Sequence, residues 1–196
     1  MENKGRHEEH HDSGKSSFDL INSAKLFDEL KLKKGSTLLD AGCGRGQYSI
    51  AASKILGDNG LVYAIDQWKE GISELQEKIS SEKINNIKAM TGDISKQIPL
   101  KKRSVNVCLM AAVFHGLVQN KAIDGALSKI ADLLTTDASL EIIEFIKSED
   151  SGSPGPPINI RLTPEEVEGI VVPYGFKKER VVEIGPYNYL ITFTPN

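Results

Sequence analysis

The sequence lacks most of the features that would take it out of the ordinary globular class. Its two cysteines, Cys43 in a glycine-rich stretch and Cys108 in an apolar run, do not make a disulfide framework. No apolar stretch approaches the roughly 18 residues needed to cross a bilayer, and the first residues lack the apolar core of a signal peptide. The net charge of −3 comes with no basic stripe of the kind nucleic-acid binding requires. The run Lys101-Lys102-Arg103 is expected to mark an exposed loop. Internal repeats and a second domain are also missing. With 39% apolar and 26% charged residues, disorder of the whole chain is excluded. The expectation is a cytoplasmic protein with a flexible tail over residues 1–15 and one domain over 16–196, long enough to bury a sizeable core.

What the sequence does have is concentrated in Leu38-Leu39-Asp40-Ala41-Gly42-Cys43-Gly44-Arg45-Gly46. An apolar run, Thr37 to Ala41, feeds a loop with glycine at every second position, and Tyr48 to Leu56 follows with the spacing of a buried helix. This is the strand, tight turn and helix opening of a nucleotide-type site at the carboxyl edge of an α/β sheet. Glycine suits such a turn because a Cβ would hold a ligand off the backbone and positive φ is often required. The dinucleotide fingerprint Gly-x-Gly-x-x-Gly is not met, since Gln47 stands at its sixth position, and the Gly-Lys-Ser/Thr ending of a P-loop is absent.

The remaining chain supplies alternating strand and helix patterns. Phe18, Ile21, Ala24, Phe27 and Leu30 predict a leading helix that ends near Gly35. Leu61 to Ile65 reads as a strand closed by Asp66, whose carboxylate could accept two hydrogen bonds from a ribose diol. The competing reading makes Asp66 the N-cap of a helix over Trp68 to Ser80. Gln67 and Trp68 are placed beside an adenine ring. Asn86 to Met90 is a third strand, closed by Thr91-Gly92-Asp93-Ile94, so Asp40, Asp66 and Asp93 each follow or close one of three successive strand-like runs. Residues 105–114 form a continuous apolar run ending at His115-Gly116, as a strand covered on both faces would. A helix over Leu117 to Leu134 and a strand over Ser139 to Ile146 follow. A loop over Ser148 to Ile160 leads to a helix with Thr163 as N-cap, Pro164 at its first position and Glu166 completing a capping box. Val181 to Ile184 and Tyr189 to Phe193 close the chain around Gly185-Pro186. The predicted class is α/β, a doubly wound Rossmann-like, mostly parallel seven-stranded sheet with helices on both faces and a C-terminal antiparallel hairpin.

The string LLDAGCGRG resembles the first motif of class I S-adenosylmethionine-dependent methyltransferases, and the resemblance extends over roughly Lys33 to Thr194. It implies S-adenosyl-L-methionine as cofactor, held by Asp40, Gly42, Cys43, Gly44, Gly46, Asp66, Gln67, Trp68, Asp93, Ile94 and Ala111. In that family the acid corresponding to Asp93 binds the adenine amine, and the next backbone N–H, here of Ile94, meets a ring nitrogen. Ala111 to His115 would line the space around the methyl group. Base-amino methyltransferases carry an Asn/Asp-Pro-Pro-Tyr-type string there, whereas this chain has Ala-Ala-Val-Phe-His, which counts against a nucleobase amine as acceptor. Within the class the chain looks most like the small-molecule branch typified by ubiquinone/menaquinone-biosynthesis methyltransferases, through its Phe-His after the fourth strand and its Gly-Pro-Pro…Arg-Leu-Thr-Pro-Glu-Glu segment. Arsenite methyltransferases are related but need several substrate-binding cysteines.

The implied reaction is in-line methyl transfer to a small molecule, with His115 as general base or, alternatively, as a packing and capping residue. Arg161 either pairs with a substrate carboxylate or with a neighbouring acid. Two other functions share these features, a non-catalytic S-adenosylmethionine-binding protein and an NAD(P)-dependent oxidoreductase. In the tail, His7, His10 and His11 stand among Glu8, Glu9 and Asp12. A mobile tail is expected there rather than a metal site, and folding over the cofactor as a lid is a further option.

Overall fold

A computed structural model describes residues 16–148 and 152–196. The expectations for the tail, its histidines included, lie outside the described residues. Five parallel strands come first: β1 (Thr37–Ala41), β2 (Leu61–Asp66), β3 (Ile87–Thr91), β4 (Val105–Ala111) and β5 (Leu134–Phe145). The hairpin β6 (Phe176–Glu183) and β7 (Asn188–Pro195) completes a seven-stranded sheet of order β3-β2-β1-β4-β5-β7-β6. In it β7 lies antiparallel to both β5 and β6. The architecture is the predicted one. The strand order reverses between β1 and β4, and such a switch point opens a crevice at the carboxyl ends of the strands.

Alternation along the strands sorts the core into two faces. Leu38, Val62, Ala64 and Val107 pack beneath α2 (Gln47–Leu56) and α3 (Lys69–Ser81). Leu109, Ile143 and Leu190 carry α1 (Ser23–Leu30). On the other face Leu39, Cys108, Met110, Leu140 and Ile142 meet α5 (Ile123–Leu133) and α6 (Pro164–Val171), with Phe114 of α4 (Phe114–Gln119) inserted among them.

Several element boundaries depart from the sequence pattern: β5 and β6 each begin five residues earlier than expected and α1 ends at Leu30, and three further departures have a visible cause. The leading helix is broken into a 3₁₀ turn (Ser17–Leu20) and α1. The Asn22 N–H donates to the Ile184 carbonyl at 2.6 Å and its side chain caps Lys25 N–H at 3.0 Å, so a tertiary bond and a cap interrupt the periodicity. Residues 112–114 leave β4: Ala112 takes φ +56°, which turns the chain into α4. The single helix expected over Leu117 to Leu134 is two helices, because α4 ends in a Schellman motif. Lys121 there has φ +54°, and the N–H groups of Ala122 and Lys121 return to the carbonyls of Leu117 and Val118. The capping box at Thr163 and Glu166 forms as expected.

Candidate active site

The glycine loop is built from backbone requirements that differ at each position. Gly42 has φ +84°, and a Cβ there would come within 2.6 Å of the Val113 side chain. Gly46 has φ +73° at the N-cap of α2, with Leu75 of α3 packed where a Cβ would project. A Cβ on Gly44 would meet nothing within 4 Å, so this residue faces open space. The loop is tied to β2 by Gly42 N–H and Cys43 N–H, both donating to Ile65 O. It is tied to the acid after β2 by Gly44 N–H, which donates to Asp66 Oδ2 at 2.7 Å. Asp66 Oδ1 accepts the Trp68 N–H at 2.8 Å, and the N-cap of α3 is Trp68, not Asp66.

Above the loop is a cavity of about 180 Å³, lined by Gly42, Cys43, Gly44 and Arg45 from the loop and by Gln47 and Tyr48 at the start of α2. Asp66 and Trp68 after β2, Ala111, Ala112 and Val113 after β4, and Ser16 and Ser17 close it. The Ser17 and Tyr48 hydroxyls are 2.8 Å apart, and the rings of Phe18 and Tyr48 meet edge to face at 4.9 Å. The start of the described chain is thereby fastened as a roof. Arg45 pairs with Glu74 at 2.6 Å and lies 4.9 Å over the Trp68 ring. Burial and the charges of Asp40 and Asp66 push the Cys43 thiol up, which keeps it protonated and unreactive.

Six of the expected cofactor residues, Gly42, Cys43, Gly44, Asp66, Trp68 and Ala111, line this cavity. The others do not. Gly46 shapes the turn, and Gln67 is exposed. Asp93 holds the Ser95 N–H and hydroxyl on Oδ1 and Lys96 on Oδ2; burial, the largest single effect on its carboxyl, raises the pKa, and the Ser95 and Lys96 donors together outweigh it and leave it lowered. Ile94 is buried in the core. Asp40 is fully buried, with Oδ2 accepting from Ser49 Oγ at 2.6 Å and Oδ1 without a partner among the described residues. Burial is the main reason its carboxyl is raised to about 7; the Ser49 bond opposes this and the Asp66 charge adds to it.

His115 and Arg161 stand apart from the cavity wall. The wall ends at Val113, and the ring of His115, in the first turn of α4, points its Nδ1 at both oxygens of Glu144 on β5, 3.0 and 2.8 Å away. Arg161 corrects its expectation as a substrate ligand. It is 4% exposed and its side chain donates five hydrogen bonds, to the carbonyls of Pro156, Ile146, Ser153 and Pro154 and to Ser153 Oγ. A guanidinium has five N–H groups, so none is left for a carboxylate. Sequence reasoning also missed Ser16, Ser17, Arg45, Gln47, Tyr48 and Glu144. For Glu144 a signal existed: an acid in a strand buried on both faces must have a partner.

The donor set fits a cofactor that is cationic at one end and carries a ribose. An orphaned oxygen on a buried carboxylate calls for a positive group, the Asp66 oxygens keep lone pairs after their backbone bonds, and Gly44 leaves room. Comparison with known proteins agrees. A family described as "Methyltransferase domain" matches residues 32–150. A SAM-dependent methyltransferase from Aquifex aeolicus superposes with a TM-score of 0.81 at 31% identity, over 92% of this chain and 93% of that one. This chain belongs to the S-adenosylmethionine-dependent methyltransferases. Among curated relatives, a "Probable cobalt-precorrin-6B C(15)-methyltransferase (decarboxylating)" from Saccharolobus solfataricus is 36% identical over 36% of this chain and 36% of its own length. A protein-L-isoaspartate O-methyltransferase from Fervidobacterium nodosum is 36% identical over 35% of this chain and 34% of its own. The chain thus spans about a third of the length of these curated relatives, and their acceptors differ in kind. No helix among the described residues is long and apolar enough to cross a membrane.

Proposed function

We propose that residues 16–196 act as one methyltransferase domain that transfers a methyl group from S-adenosylmethionine to a small-molecule acceptor, neither nucleic acid nor folded protein. The observation that carries this reading is the roofed cavity. Ser16 and Ser17 form part of its wall, and the Ser17–Tyr48 contact at 2.8 Å fastens them. A covered crevice of this kind accepts a compact molecule more readily than a polymer segment. The Ala-Ala-Val-Phe-His string after β4 supports the same reading, as does the likeness to the ubiquinone/menaquinone-type branch.

Gly44, Asp66, Trp68 and Ala111 would hold the cofactor, with Asp40 beneath them and Asp93-Ile94 at the neighbouring strand end. S-adenosylmethionine supplies an already activated methyl group when bound, so the chain's task is alignment and exclusion of water. His115 takes the acceptor's proton.

Two measurements test this reading. Titration with S-adenosylhomocysteine should saturate and raise the melting temperature, where NAD and NADP do not. At a ligand concentration of about 100 times Kd the stabilisation is roughly 2.7 kcal/mol. Tritium from methyl-labelled S-adenosylmethionine should then enter the small-molecule filtrate of a cell extract and not its RNA or protein fractions. Binding with no transfer into any fraction would identify a non-catalytic cofactor-binding protein, and stabilisation by NAD alone would point to an oxidoreductase.

A further inference from the structure

Glu144 is fully buried on β5, and the donors to its carboxylate among the described residues all belong to His115. The His115 backbone N–H reaches Oε1 at 3.1 Å, and Nδ1 lies 3.0 and 2.8 Å from the two carboxylate oxygens. A buried carboxylate is costly to keep without a strong partner, and here a single residue supplies it twice over. The imidazole is mostly covered, with 14% of its side chain exposed, and Nε2 has no partner among the described residues. Val113, two residues earlier, is part of the cavity wall.

We propose that Glu144 is a positioning residue that fixes the tautomer of His115, and that the dyad serves an acceptor whose nucleophile must lose a proton as it attacks, such as a hydroxyl. The proposal rests on the reading of His115 as the proton-taking group. A carboxylate only accepts hydrogen bonds, so Nδ1 carries the ring proton and Nε2 is left as the bare acceptor. The grip on the backbone N–H and on the ring from one carboxylate fixes the imidazole's orientation as well as its tautomer. An O–H group hydrogen-bonded to Nε2 gives its proton to that nitrogen, and the electron pair of the broken bond stays on oxygen as the attacking pair. The resulting imidazolium is stabilised by the Glu144 charge behind it, which does not itself take the proton. A thiolate or a neutral amine would have no use for this arrangement. A purely structural role for Glu144, capping the start of α4 through the backbone N–H, requires no particular ring tautomer.

The test uses the full ¹⁵N-labelled chain. Long-range ¹H–¹⁵N correlation spectra read the His115 tautomer, with His115→Asn assigning the signal against the three other histidines. Wild type should show Nδ1–H with a bare Nε2. Glu144→Gln, whose amide can donate to Nδ1, should move the proton to Nε2. It should also slow labelled-methyl transfer into the small-molecule filtrate by about 10²- to 10⁴-fold with S-adenosylhomocysteine affinity kept. Glu144→Asp should retain the wild-type tautomer and recover part of the rate. A wild-type ring that is protonated on Nε2, or on both nitrogens at the pH of transfer, overturns the proposal, as does a Gln variant with unchanged tautomer and rate. If Glu144→Gln melts early, the wild-type tautomer and the Asp variant still decide. Wild-type transfer by His115→Asn would sink the proton-taking reading. Cofactor binding without any transfer would sink the methyltransferase reading, while the tautomer reports on Glu144 independently.

Discussion

Asp40 and Asp66 are two acids of one motif with opposite surroundings, and they predict different behaviour. The Asp40 carboxyl has an ordinary value of 3.8 and is raised to about 7 in the fold. Between those values the unfolded chain releases a proton that the folded chain keeps. Stability of the cofactor-free protein therefore falls as pH rises from about 4 to 7 and levels off above that, by on the order of 4 kcal/mol for this group. Asp40→Asn should remove that share of the slope, seen as a difference in urea midpoints between wild type and variant from pH 5 to 8. Saturating S-adenosylmethionine should flatten the wild-type slope if its cationic end pairs with Oδ1. Asp66 is partly exposed and already holds the Gly44 and Trp68 N–H groups. Asp66→Ala should weaken cofactor binding by about 2–4 kcal/mol in calorimetric titration, and Asp66→Asn by less, since its remaining oxygen can still accept from the loop. The glycine loop was legible because Gly42, Gly44 and Gly46 all take positive φ, a requirement that marks the sequence directly. The partners of His115 and Arg161 were not, because those contacts join residues 29 positions apart in one case and loop carbonyls, which leave no mark in the sequence, in the other.

Element boundaries follow local chemistry where that chemistry is self-contained. The Thr163-Pro164-Glu165-Glu166 start of α6 forms as read because its cap, proline and returning carboxylate all lie within one turn. The break between the 3₁₀ turn and α1 depends on Ile184, far along the chain, and periodicity cannot show it. The segment after β5 is held by Arg161, whose guanidinium also lies 5.6 Å from the Phe145 ring centre. Arg161→Lys replaces a planar five-donor fork with a point charge and should cost about 2–4 kcal/mol of stability in urea unfolding, with S-adenosylhomocysteine affinity unchanged. Unaltered stability with impaired acceptor saturation would instead return Arg161 to the acceptor side.

At the scale of the whole molecule, the five parallel strands were legible because successive strand and helix patterns fold as right-handed crossover units. The hairpin was legible as a hairpin. Which of its strands joins the sheet was missed, although the pattern distinguishes them in retrospect. In β6 only Phe176 is buried, and exposed residues (Lys177, Glu179, Val181, Glu183) alternate with half-buried ones, as an edge demands, whereas β7 is buried from Asn188 to Phe193. Ile191→Ala, at a fully buried site between β5 and β6, should cost about 2–5 kcal/mol, and Val181→Ala, at a 41% exposed site on β6, no more than about 0.5, both read from denaturant midpoints. The molecule also has only one tryptophan, Trp68, and it lines the candidate cavity with the Arg45 guanidinium 4.9 Å from its ring centre. Light absorbed at the red edge of the protein spectrum is therefore taken up at the candidate site and by no other part of the chain. Any ligand that displaces Arg45 or covers the indole will change the emission, so the protein carries its own fluorescent reporter of occupancy without a label.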